Sequence, residues 1–343
     1  MGNAYNEDKI VMKRIIQMTI TFVISFLFLW FAMQGLDWGI AFSSLSNINI
    51  PLILSAVILW LGGYVLRAFR WKIFFTTIKL PTLISFKALI IGFAANNSLP
   101  LRAGEVIRAY ILKRLQPSIS ISQGFATVAG ERLFDGIAIV GLTLWSVRGL
   151  ELSGLVDSAV LYSSILFAVA FVVFIIIARY TQQSLLIINK IVKPLPFNIG
   201  SKLMPLIEQF LTGLVALQSF TLISKILVFS MMTWIIEAAF YYYSAVSFGL
   251  DITFVQATLL MGIINLGIMV PAGPGGMGTF EFITVYLLSS FGFDESLAFS
   301  YAVVAHILEN GSVILIGVFY LLKMGIGVKE ISSEAQVEKV SKH

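Results

Sequence analysis

The stretch NNSLPLRAGEVIRAY, Asn96–Tyr110, places two Asn, a Pro, a Glu and two Arg inside a chain that is otherwise close to a continuous apolar wall. The apolar run before it, FKALIIGFAA at 86–95, is shorter than the roughly 20 residues a helix needs to cross a bilayer. The segment therefore enters an apolar region and turns back. Non-helical backbone cannot face lipid, because its N–H and C=O groups would go unpaired, so such a turn is buried in protein or lines a wet cavity. A second stretch, PAGPGGMG at Pro271–Gly278, interrupts another apolar run in the same way.

Composition sets the class. Of 343 residues, 58% are hydrophobic and 12% charged, and the mean hydropathy is +0.92. A soluble domain carries an apolar share of about 45–50% even with Gly included. The chain is read as an all-α polytopic membrane protein. It has no cysteine, which excludes disulfides, thiolate chemistry and Cys-ligated metal.

Apolar runs and Lys/Arg placement predict six full spans, at about 15–33, 50–66, 125–147, 159–178, 225–248 and 297–322. The first follows Lys9, Lys13 and Arg14 but is longer than a signal-peptide core and lacks a small-x-small cleavage site, so it reads as an uncleaved anchor. The runs 83–101 and 254–291 are broken by Pro and Gly and are read as re-entrant helical hairpins. Every Lys and Arg except Arg132 and Arg148 then falls in a segment assigned to the cytoplasm, with both termini there and the cell membrane as the location.

With that topology the first half (about 15–147) and the second (about 159–322) carry the same parts in opposite orientation, an inverted repeat. The hairpins share an order: Asn96 or Asn265, Pro100 or Pro271, Gly104 or Gly275, then Glu105 or Glu281. Such repeats belong to transporters whose site lies near the midplane between discontinuous helices. Residues 1–14 form a cytoplasmic N-terminus and 326–343 a polar tail. The segment 179–224 carries Met204, Ile207, Leu211 and Leu214 at helical spacing, which fits a helix on the membrane surface or a loop helix packed on the bundle.

The charged positions inside apolar segments are the candidate site. After Pro100, Arg102, Glu105 and Arg108 are spaced three apart along one helix face, with Asn97 just before the turn. Glu131, Arg132 and Asp135 open the third span. Each charge deep in a membrane costs about 2.5–3.5 kcal/mol, so the trio is paired or hydrated. An Arg132–Asp135 pair within the helix is expected. The trio reads either as a structural lock on the first hairpin or as the charged floor of a site. Glu237, His306 and Glu309 interrupt late spans; with Glu281 they form either packing contacts or a proton-titrating cluster.

The segments NNSLPLRAGEVIRAYILKR, TVAGERLFDG and PAGPGGMGTFE, in this order and spacing, resemble the lysylphosphatidylglycerol synthase transmembrane region family, the flippase-like domain also called UPF0104, over about residues 10–325. The family is similar to the flippase half of bacterial multiple peptide resistance factors, and other members accompany lipid-linked glycan or hopanoid pathways. The resemblance implies lipid translocation without a cofactor, with membrane lipid and not nucleic acid as the ligand. It carries onto Asn97, Pro100, Arg102, Gly104, Glu105, Arg108, Glu131, Arg132, Asp135, Pro271, Gly275, Gly276, Gly278 and Glu281. The chain departs from the resistance factors in ending soon after residue 323, so aminoacyl-transfer activity is not implied.

Catalytic motifs are not found: there is no GxSxG elbow, P-loop or HExxH, and His306 is the one histidine besides His343. A metal site is not expected, although a carboxylate-held divalent ion at Glu131 and Asp135 stays open. The favoured reading is a translocase for an anionic or zwitterionic lipid, with Arg102, Arg108 and Arg132 facing phosphate. The rivals are a membrane enzyme modifying a lipid headgroup and a non-transporting partner of a glycosyl-transferring or other lipid-modifying enzyme.

Overall fold

The structure is a computed structural model that describes residues 19–99, 103–148, 154–193, 199–268 and 273–326. Among these residues it is helical with no strand. The helices are α1 (Thr19–Ala32), α2 (Trp38–Ser46), α3 (Ile50–Lys72), α4 (Thr82–Ser98), α5 (Gly104–Leu115), α6 (Ile121–Val147) and α7 (Gly154–Arg179). They continue with α8 (Thr181–Val192), α9 (Ile199–Gly213), α10 (Phe220–Ser247), α11 (Phe254–Gly267), α12 (Thr279–Ser290) and α13 (Glu295–Lys323).

Polarity is turned inside out relative to a soluble protein. Leu315, Leu322, Ile58 and Phe42 stand on the outside, whereas Arg67, Arg70, Arg108, Glu131, Asp135 and Glu237 are buried. A lipid-facing surface accounts for both halves of that pattern. Four helical segments are long and apolar enough to cross a membrane: Ile50–Lys72, Leu161–Arg179, Phe220–Ser247 and Glu295–Lys323. They coincide with four of the six predicted spans. The predicted span 125–147 falls in α6, a 27-residue helix made less apolar by its charged trio. The first predicted span is a shorter apolar helix, Thr19–Ala32, and residues 15–18 lie outside the described part.

Local chemistry sets the helix ends. Asn49, Ser120, Ser219, Thr253 and Asp294 each accept a backbone N–H from the first turn of α3, α6, α10, α11 and α13. Ser120 with Gln123 and Thr253 with Gln256 form reciprocal capping boxes. Helix α4 stops at Ser98, and Leu99 is extended at φ −112°, ψ 144°, as expected of the residue before a proline.

Helices α4 and α5 fold back on each other as the first hairpin. Asn96 Oδ1 accepts the Gly104 N–H at 2.8 Å, capping the start of α5. A Cβ on Gly104 would lie 2.0 Å from the Gly92 carbonyl oxygen, so the two helices approach closely only because both residues are glycine. Gly104→Ala is expected to force them apart and to cost at least the upper part of the about 1–3 kcal/mol typical of overpacking, read as a lower melting temperature in detergent. An unchanged melting temperature would show that the hairpin yields freely.

The second hairpin is α11 and α12, joined through residues 268–278. Gly275, Gly276 and Gly278 have φ of +66°, +83° and +83°, the left-handed region that glycine enters without strain, which explains the wording GPGGMG. Ser25 Oγ on α1 accepts the Gly273 N–H at 2.5 Å, so α1 lies across this turn. Pro100 and Pro271 lie outside the described residues.

The packing of eight helices is preserved on exchanging α3 with α10, α4 with α11, α5 with α12 and α6 with α13. Thus α3 packs on α10; α4 packs on α13 as α11 packs on α6; and α5 packs on α6 as α12 packs on α13. Between the halves, α9 packs on the start of α6. Leu211 and Leu214 are buried there, and Gln123 Nε2 donates to Thr212 Oγ1 at 3.0 Å, so this part of the linker is a helix docked on the bundle. Helix α8 buries no residue and leaves Leu186, Ile187 and Ile191 exposed.

Candidate functional site

The interior charges are wired between helices. Arg70, fully buried on α3, binds Asp135 on α6 through both terminal nitrogens and lies 3.1 Å from Glu131 on the same helix. Its Nη1 also donates to Ser230 Oγ on α10 at 2.7 Å. Asp135 Oδ1 accepts from Trp234 Nε1, on α10, at 2.9 Å. Glu131 in turn takes a two-donor fork from Arg108 on α5, at 3.0 and 2.8 Å. The Arg108 guanidinium sits 3.7 Å from the centre of the Trp71 ring, and Trp71 Nε1 donates to Thr127 Oγ1 at 3.0 Å. Two guanidinium groups thus meet two carboxylates, and the cluster closes electrically neutral.

Beside it lies a second pair, Arg67 on α3 with Glu237 on α10. Glu237 also accepts from Asn265 Nδ2 of the second hairpin at 3.0 Å. The rings of Trp60, Tyr64, Phe93 and Trp234 surround the Arg67 guanidinium at 5.0 to 5.9 Å. Arg67 and Glu237 each lie 17 residues beyond the first residue of their helix (67 − 50 and 237 − 220), so the exchange of halves maps one onto the other. The pair sits where the two halves face each other.

Arg132 does not pair with Asp135 as expected. Its Nε donates to Glu105 Oε1 on α5 at 3.0 Å, with the guanidinium over Phe93 at 5.2 Å. The helical i,i+3 spacing allows the local pair, but Asp135 faces Arg70 and Trp234 on other helices, where it finds three donors. The side chains of Arg132 and Glu105 remain 32% and 23% exposed, against 5% or less for the Arg70, Arg108 and Arg67 pairs and their carboxylates. This is the reachable ion pair of the set.

The second hairpin holds its own group. Glu281 Oε2 accepts the Gly278 N–H at 2.6 Å, and Glu281 Oε1 lies 2.6 Å from His306 Nδ1. His306 Nε2 and Asn310 Nδ2 both reach the Gly275 carbonyl, at 2.9 and 3.2 Å. Glu309, one turn from His306, accepts from Tyr241 OH at 3.1 Å. The last turn of α4 meets the glycine turn of the second hairpin: the Asn97 carbonyl oxygen is 3.2 Å from where a Cβ on Gly275 would stand, and Gly276 adjoins it.

Sequence reading thus found the carboxylates and two of the four arginines of the described network, and the structure brings Glu105, Arg108, Glu131, Arg132 and Asp135 together where the start of α5 meets the middle of α6. Glu281, His306 and Glu309 gather apart from them. Arg102 lies outside the described residues. Arg108 spends both terminal nitrogens on Glu131, so it reaches no phosphate while that fork holds. Arg67 and Arg70 were missed. Ending the span at 66 assigned them to the cytoplasm, whereas α3 runs on to Lys72 with both buried, which weakens the positive-inside count by these two and by the buried Arg108. The signal was present: Trp60, Tyr64, Arg67 and Trp71 recur at steps of three and four, one continuous buried helix face. Among the described residues no group of three or more His, Asp or Glu is placed to hold a metal, and Glu131 and Asp135 are already occupied by guanidinium.

The model of the lysylphosphatidylglycerol synthase TM region family matches residues 18–317. A UPF0104 membrane protein of Methanocaldococcus jannaschii is 29% identical over 242 residues, 70% of this chain and 98% of its own length. One from Pyrococcus horikoshii is 25% identical over 335 residues, covering 91% of this chain and 97% of that one. The glycosyltransferase AglD of Haloferax volcanii is 23% identical over 336 residues, 88% of this chain but only 53% of AglD. The match runs through both hairpins and all four helices that carry the charge network, and the chain belongs to the lysylphosphatidylglycerol synthase transmembrane region family.

Proposed function

We propose that the protein is a lipid translocase, moving a lipid with a phosphate-bearing headgroup, such as a phospholipid or a polyprenyl-phosphate-linked lipid, between leaflets of the cell membrane. In this reading the hairpins are re-entrant, the halves are an inverted-topology repeat, and α1 and α6 complete the six spans. The observation that carries it is the part-exposed Arg132–Glu105 pair on α6 and α5, with Glu105 in the first turn of α5 directly after Gly104, which Asn96 of α4 caps. Arg132 is a guanidinium held by one Nε bond, with its terminal nitrogens free of any Glu105 bond, and a phosphate takes such a fork readily. The acyl or prenyl chains stay in lipid while the headgroup crosses along the hairpins. No covalent step is required.

The AglD relative supports a second reading. A region shared with a protein named glycosyltransferase, and covering about half of it, fits a membrane unit that serves a glycosyl-transferring enzyme. Purified protein in liposomes, with a fluorescent anionic phospholipid in one set and a polyprenyl phosphate in another, separates the two. Movement of unchanged lipid to the other leaflet is the expected result. Neither lipid moving would overturn the translocase and leave the partner role, and a chemically altered headgroup would indicate an enzyme.

A further inference from the structure

The second hairpin carries titratable groups that lipid binding does not use. His306 Nε2 lies 2.9 Å from the Gly275 carbonyl oxygen. A carbonyl oxygen only accepts, so Nε2 carries a hydrogen. Nδ1 lies 2.6 Å from Glu281 Oε1, where two lone pairs would repel, so one proton sits between them whichever atom is drawn as its owner. Glu281 Oε2 is fixed by the Gly278 N–H. The Phe280 ring stacks on the imidazole at 4.3 Å between centres and 8° between planes, and the pair's side chains are 9% and 6% exposed. His306, through the shared proton on Nδ1 and the separate hydrogen on Nε2, therefore ties together α12 at Glu281, α13 and the glycine turn at Gly275. That turn is the part of the second hairpin that meets Asn97 of the first.

We propose that the Glu281–His306 pair is the proton-binding site that couples lipid movement to a proton gradient. Loaded, it holds the second hairpin's turn against the first; emptied, it lets the turn go. The proposal rests on the translocase reading above. On emptying, the proton between Oε1 and Nδ1 passes to water and no other covalent bond changes. A carboxylate then faces an imidazole lone pair, the ring turns away, and the Gly275 carbonyl loses its shorter donor and keeps only Asn310 Nδ2 at 3.2 Å. The groups facing this site are Glu309 on α13 itself, Tyr241 and beyond it Glu237 on α10, and Arg67 on α3. Glu237 is matched by Arg67, so Glu309, whose side chain accepts from Tyr241 and pairs with no cation among the described residues, is the neighbouring carboxyl whose own protonation the test must separate from that of the pair. Asn310 of α13, Ser25 of α1, Asn97 of α4 and Ile268, all uncharged, also border the turn.

The distance between the two turns reads the state directly. In this cysteine-free chain, Ser98→Cys and Met277→Cys, both at exposed positions, accept spin labels one on each hairpin. Raising the pH from about 5 to about 9, across the range where histidine changes charge, is expected to shift the label distance from a short to a longer population by at least about tenfold in their ratio. Glu281→Gln keeps an acceptor for Gly278 and gives a permanent N–H to His306 Nδ1, so it is expected to stay short at every pH. His306→Gln keeps a donor for Gly275 without titrating and is likewise expected to be flat.

A parent protein whose distance ignores pH, or a Glu281→Gln variant that responds as the parent does, overturns the proposal. So does a response that vanishes in Glu309→Gln and survives in Glu281→Gln. The same proteins in liposomes with fluorescent anionic phospholipid show whether a pH gradient speeds lipid movement in the parent and not in Glu281→Gln. A pH-dependent distance without lipid movement removes the translocase reading and keeps the proton site. Lipid movement that ignores both pH and gradient keeps the translocase and removes the coupling.

Discussion

Arg70→Met is expected to cost about 3–5 kcal/mol of stability, the penalty for removing one partner from a buried ion pair. Arg70 is the one cation that touches Asp135, Glu131 and Ser230, and so the one that joins α3, α6 and α10 at a single point. Methionine fills much of its volume, so cavity formation is kept small and the charge effect dominates. Without Arg70 the cluster holds two carboxylates against Arg108 alone, in surroundings with 0% and 3% exposure for Glu131 and Asp135. A fall of roughly 10 °C in melting temperature in detergent is the expected reading. Adding Asp135→Asn should recover part of it, because the amide oxygen still accepts from Trp234 while the excess negative charge is gone. If Arg70→Met melts within a degree or two of the parent, or the second change gives no recovery, the neutral-cluster account is wrong.

That test turns on partners the sequence does not pair. Pro and Gly at Pro100, Pro271 and the glycine turn show where helices break, because those residues act on their own backbone. The same locality made the carboxylates visible, since each interrupts an apolar run. Which guanidinium meets which carboxylate is a property of helix packing. Arg132 and Asp135 are three apart on one helix, yet each is satisfied by a different helix, and the nearer candidate loses to better-placed donors. Arg67 and Arg70 were mistaken for loop charges because a span is judged by where charge begins. A charged residue matched across a helix interface costs far less than the hydropathy scale assigns to it alone, so the true helix continues past the apparent end. The exchange of halves that places Arg67 opposite Glu237 becomes visible only once α3 and α10 are side by side.

The contrast among these arginines leads to the last expected result. Arg132→Ala should lower lipid translocation by about 100-fold or more while shifting stability by less than about 1 kcal/mol. A charge-assisted hydrogen bond contributes about 1.5–3 kcal/mol, so a two-donor contact to phosphate accounts for a loss of that size. The stability effect is small because the Arg132–Glu105 pair is part-exposed, and exposed ion pairs contribute at most about 1 kcal/mol. Arg132→Lys discriminates further. It keeps the positive charge and its pairing with Glu105, but loses the planar fork, so it should recover only a small part of the activity. Glu105→Gln keeps an acceptor for Arg132 Nε but removes the competing negative charge, and should leave translocation near the parent rate or above it. Rates of a fluorescent anionic phospholipid and melting temperatures, taken on the same three variants, check all of this. Parent-level translocation by Arg132→Ala would take the headgroup contact away from Arg132. A melting temperature lowered as far as that of Arg70→Met would instead make Arg132 another internal strut, its exposure notwithstanding.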